Sequence, residues 1–94
     1  MKNRKPTKNF IVEITPDHPV YVIGVVSTIV HIPIWTLRKL DQMGIVKPRR
    51  IGKKTRCYSR TQVQQLNYIH YLLEEKSENI SAIKVVLEIN QQFL

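Results

Sequence analysis

The chain reads as a mainly α-helical domain that carries one small, strongly basic β-hairpin. Three observations predict this. Residues 35–58 place a short helical pattern directly before a cation-rich extended segment that turns at Gly52. Residues 59–73 hold a helix-start signal followed by apolar residues at close to a helical period. The positive charge gathers on the first of these stretches instead of spreading over the chain. A helix feeding directly into a basic hairpin is the layout of a winged helix-turn-helix, a DNA-binding arrangement.

Composition bounds the reading. A chain of 94 residues with 43% hydrophobic content suits one domain with a modest core. No apolar run approaches membrane-spanning length. The start, MKNRKPTKNF, is basic but has no long apolar region behind it, which argues against a secretory signal. One cysteine excludes an internal disulfide and a cysteine-cluster zinc site, and fits a reducing cytoplasm. The formal charge is +8, from 15 Lys and Arg against 7 Asp and Glu. Residues 38–60 hold nine of those cations and one acid, Asp41. Residues 1–9 hold Lys2, Arg4, Lys5 and Lys8, and the remaining segments are slightly acidic. Such concentration is the footprint of a polyanion partner. A solubility surface intersperses both signs, and a membrane-surface helix carries its charge on a helix rather than a hairpin. Double-stranded DNA is therefore the expected partner.

In chain order, residues 1–18 are expected to be a basic arm and 19–94 the domain. Residues 1–9 read as a tail, 10–14 alternate weakly enough for a short strand, and Thr15, Pro16 and Pro19 mark a turn. Tyr21, Val22 and Ile23 are β-prone. Residues 24–30 pose a conflict, because Val25, Val26, Thr28, Ile29 and Val30 are β-branched and propensity alone reads a strand. His31, Ile32 and Pro33 form a turn, and Pro33 suits the start of the next helix. His31 has no second His or Cys at ligand spacing and is read as a turn residue, not a metal ligand.

Residues 34–43 form the second helix. Leu37 and Leu40 share one face, with Arg38 and Asp41 projecting elsewhere. Trp35 lies off the Ile34 and Leu37 face and is either a core or rim tryptophan or a DNA-facing one. The groove side carries Trp35, Arg38, Lys39 and Gln42. Gly44 stops this helix, and Pro48 keeps the chain extended before the hairpin. Ser59 and Gln62 form a capping box that starts a third helix, with Val63, Leu66, Ile69, Leu72 and Leu73 on its apolar side. Its acidic end, with Glu74, Glu75 and Glu78, should face away from DNA. Asn79 suits the N-cap of a last helix. That helix is apolar on two faces, Ile83, Val86 and Leu87 on one, Val85, Ile89 and Phe93 on the other. Either the core is fuller than usual or a weak homodimer forms through residues 80–94.

The stretch 35–58 resembles the MerR family, and the HspR heat-shock repressors within it. The resemblance rests on Thr36-Leu37-Arg38, on Asp41, on Gly44-Ile45-Val46-Lys47-Pro48-Arg49-Arg50 and on Arg56-Cys57-Tyr58-Ser59. It covers residues 19–90, nearly the whole chain, and the motifs keep their order and spacing. It implies a winged helix-turn-helix in which residues 24–30 are the first helix and 34–43 the recognition helix. This sequence departs from the family in having Leu40 where tyrosine is usual, which removes a phosphate hydrogen bond, and His31 where glycine is usual.

No catalytic constellation appears, and no cofactor or metal motif, so an enzyme is not expected. Cys57 is read as an ordinary strand residue. Metal-sensing relatives bind metal beyond their last DNA-domain helix, and that activity is not carried over. The expected DNA-contacting residues are Trp35, Thr36, Arg38 and Lys39 on the recognition helix. On the wing they are Arg49, Arg50, Lys53, Lys54, Arg56 and Tyr58. The resemblance implies repression at inverted-repeat operators, with a DnaK-type chaperone as co-repressor in some relatives. A DNA-architectural or excisionase-like accessory protein, which shares this small winged fold, is the alternative.

Overall fold

A computed structural model describes residues 14–76 and 79–90. The expected basic tail, most of the strand expected over 10–14, and Glu78, Phe93 and Leu94 lie outside the described residues; Ile14 itself is in no strand. The elements run β1 (Tyr21–Val22), α1 (Ile23–Val30), α2 (Ile34–Gln42), β2 (Arg49–Ile51), β3 (Thr55–Tyr58), α3 (Arg60–Glu74) and α4 (Ile80–Asn90).

The conflict over residues 24–30 resolves as a helix. Each β-branched residue there costs at most about 0.7 kcal/mol relative to alanine. Burying Val26 and Val30 almost completely contributes roughly 1.5–3 kcal/mol apiece. Packing therefore outweighs propensity. The helix ends at His31, whose φ of 59° lies in the left-handed region, and its N–H donates to Ser27 O at 3.0 Å. That conformation explains why glycine suits this turn, since a side chain there is strained. Ser27 Oγ donates to Ile32 O at 2.7 Å and helps hold the turn.

The second helix closes with a Schellman motif. Gly44, at φ 73°, donates to Asp41 O at 2.9 Å, and Ile45 N donates to Leu40 O at 2.9 Å. Leu40 and Ile45 are both buried, as the motif's apolar contact requires.

The hairpin gains a third strand. The sheet order is β1-β3-β2, antiparallel throughout, with Tyr21 opposite Tyr58 and Arg50 opposite Arg56. Helix α3 begins with the expected capping box: Gln62 N donates to Ser59 Oγ, and Ser59 N donates to Gln62 Oε1. Helix α4 is capped by Asn79, whose Oδ1 accepts from Ala82 N at 2.7 Å. One core joins all four helices and β3. It gathers Val26 and Val30, Leu37 and Leu40, Tyr58, Leu66 and Ile69, and Ile83 and Leu87.

Candidate nucleic-acid interface

The recognition helix divides cleanly. Thr36, Leu37, Leu40 and Asp41 are buried, while Trp35, Arg38, Lys39 and Gln42 are exposed. The exposed four sit at i, i+3, i+4 and i+7, one stripe along a helix. The wing continues this surface: Arg49, Arg50, Lys53 and Lys54 are exposed around a tip where Gly52 takes φ 66°. Lys47 adds a further exposed cation just before it.

Asp41 holds helix and wing together. Arg56 Nε donates to Asp41 Oδ2 at 2.8 Å, Arg50 Nη2 lies 3.6 Å from the same oxygen, and Lys47 Nζ lies 4.0 Å from the other. The register explains the need. Arg50 and Arg56 face each other across the strands, where like charges repel. One buried carboxylate beneath them offsets that repulsion and ties both strands to α2. Asp41, expected to project off the Leu37 and Leu40 face, is instead buried and turns under the wing, and the exposed face of α2 and the wing carries no exposed acid.

Three expected contact residues sit differently from the rest. Thr36 is buried at 6% exposure, under the helix rather than on its groove side. Tyr58 is completely buried in the core, because β3 is the central strand and its inward side chain packs under β1 and α1. Its hydroxyl finds no hydrogen-bond partner among the described residues. Burial, and then the Asp41 carboxylate, push the phenol up to about 12, against the opposing pull of Arg56 and Arg50. Arg56 is 17% exposed and already engaged by Asp41. In this conformation Thr36 and Tyr58 support the surface from below, and Arg56 is half-way between the two roles.

The residue that reasoning on the sequence missed is Asp41 as an organiser. Its signal was present, as the single acid among nine cations over residues 38–60. Gln62 was also underrated. Besides its part in the cap, its Nε2 donates to Lys47 O at 2.8 Å and so ties α3 to the chain entering the wing. Elsewhere, the structure brings His70 within 6.2 Å of His31, ring centre to ring centre, although 39 positions separate them. Among the described residues, no three His, Cys, Asp or Glu side chains are grouped to hold a metal, and no helix is long and apolar enough to cross a membrane.

A model of the MerR helix-turn-helix family of regulatory proteins matches residues 21–89. The chain belongs to the MerR family. It is also 34% identical over 80 residues to a Streptomyces coelicolor protein that bears the name heat shock protein HspR. That match covers 85% of this chain and 53% of the relative, so the chain spans about half of that protein's length. The family is one of helix-turn-helix regulatory proteins, and membership accounts for the order helix, turn, helix, wing. In this MerR domain the left-handed turn between α1 and α2 is occupied by His31, and the aromatic position before the acid is Leu40, which is fully buried.

Proposed function

We propose that this MerR-family domain binds double-stranded DNA at inverted-repeat operators and represses transcription there, in the manner of an HspR-type stress regulator. The observation that carries the proposal is the inward turn of Asp41. It leaves Arg38, Lys39, Lys47, Arg49, Arg50, Lys53 and Lys54 exposed on a recognition helix and wing with no exposed acid among them. The wing cations neutralise phosphates and supply affinity, and Arg38 or Lys39 pairs with guanine O6 and N7 in the major groove. The name of the Streptomyces relative supports the stress-response assignment. A regulator of this kind works in the cytoplasm, on the nucleoid, and a DnaK-type chaperone is the co-repressor to test.

Two copies are proposed to bind one operator. One short helix reads few base pairs, and two-fold pairing matches an inverted repeat. Val85 and Ile89 support this: they are 54% and 73% exposed on α4, one helical turn apart and opposite the buried Ile83 and Leu87. Selection of bound fragments from the genome tests the reading. Enrichment of inverted repeats upstream of chaperone genes is expected. Enrichment at phage attachment sites would replace the repressor by a recombination accessory protein, and no enrichment would remove DNA reading altogether.

A further inference from the structure

We infer that Trp35 reads thymine, its indole lying against the 5-methyl group of a thymine in the major groove. The inference rests on the DNA-binding reading above and names what one residue of that surface recognises. Trp35 is 71% exposed in the first turn of α2. An indole buries as much surface as any side chain when it finds a partner, so leaving one in water forgoes a large stabilisation. Trp35 lines a cleft of about 330 Å³ together with His31, His70 and Leu73. Its sequence neighbour Ile34 is itself 37% exposed.

The position selects the ligand. In helix-turn-helix proteins the first residues of the recognition helix meet base edges. The first turn of α2 holds no acid and its amides have no side-chain cap, while Glu74 at the end of α3 lines the same cleft as Trp35. On the exposed stripe Trp35 stands one turn before Arg38 and Lys39. The major-groove edges offer one apolar group, the thymine methyl, beside the thymine O4 acceptor. The indole complements both, being apolar with a single N–H donor and no acceptor. Cytosine presents an amino donor and no methyl there, and is rejected on both counts. The stripe from Trp35 to Gln42 rises about 10 Å along the helix, roughly three base pairs. The thymine should therefore lie one or two base pairs from the guanine read by Arg38.

The test uses the full chain and an operator taken from random-sequence selection. Each half-site thymine is replaced in turn by deoxyuridine, which removes only the methyl, and affinity is read by fluorescence anisotropy. One position should lose about three- to five-fold, the worth of one buried methyl. The Trp35→Ala variant should show no loss at that position. Trp35→Phe, which keeps the apolar ring, should retain it. Both variants should keep the wild-type urea midpoint, because the ring is mostly in solvent. The inference is overturned if every deoxyuridine substitution stays within two-fold, or if Trp35→Ala suffers the same loss as wild type. A wild-type chain that selects no sequence overturns the DNA-binding proposal itself, and this inference with it.

Discussion

Removing Asp41 should cost at least as much as removing Arg56 and clearly more than removing Arg50 or Lys47. The structure fixes the expected magnitudes. The Arg56 contact is a 2.8 Å charge-assisted hydrogen bond between side chains 17% and 12% exposed. Such bonds contribute about 1.5–3 kcal/mol. Arg50 approaches to 3.6 Å with its side chain 49% exposed, and Lys47 only to 4.0 Å at 70% exposure. Exposed pairs of that kind contribute about 0–1 kcal/mol each. Asp41→Ala should therefore destabilise by about 2–4 kcal/mol, and it leaves Arg50 and Arg56 opposed with no acid between them. In a domain of this size, a loss of 2–3 kcal/mol lowers the melting temperature by about 10–20 °C. Urea unfolding of single and double variants gives the coupling directly. Asp41 with Arg56 should couple by about 1.5–3 kcal/mol, and Asp41 with Lys47 by less than about 0.5 kcal/mol. An Arg56 coupling as small as that of Lys47 would refute the assignment of Asp41 as the tie between helix and wing.

Other outcomes follow from the same geometry. Tyr58→Phe should be neutral or stabilising by about 1 kcal/mol, because it removes a buried hydroxyl without a partner. The raised Tyr58 pKa means the folded state keeps a proton that the unfolded chain releases. Stability is thus full below pH 10 and falls, by up to about 1.4 kcal/mol per pH unit, as pH rises toward about 12. Tyr58→Phe should abolish that part of the alkaline loss, read by urea midpoints across the range. Ser59→Ala should lower stability by about 0.5–2 kcal/mol through loss of the capping box, and an unchanged midpoint would mean α3 is held elsewhere. Val85→Glu with Ile89→Glu should lower cooperativity on a full inverted repeat without changing binding to a half-site, as gel-shift titration would report.

Local signals were legible in the sequence because their causes are local. Gly44 spells a helix C-terminus, and Ser59 with Gln62 spells an N-terminus; the structure shows both. Helix α1 was not legible from propensity, since its stability comes from burying Val26 and Val30 against elements later in the chain. The strand tendency of Tyr21 and Val22 was legible, but their place in the sheet was not. Tyr21 and Val22 pair with Tyr58 and Cys57, partners more than 30 positions away. Within the site, exposure of Arg38, Lys39 and the wing cations followed from helical spacing and hairpin geometry. The inward turn of Asp41 did not, because the cations it meets, Arg50 and Arg56, are brought to it only by the folded wing. Tyr58 lies two residues from Arg56 and so on the same face of β3, yet it is buried, because β1 pairs with this end of the strand and the core closes over it.

The salt dependence of DNA binding tests the central claim most directly. Seven cations lie exposed on α2, on the wing and just before it. If about five of them neutralise phosphates, the logarithm of affinity should fall against the logarithm of salt concentration with a slope of about −4 to −5. Replacing Lys53 and Lys54 with alanine should make that slope shallower by about one to two. A slope near zero for the wild-type chain would contradict the reading of this surface as a DNA interface.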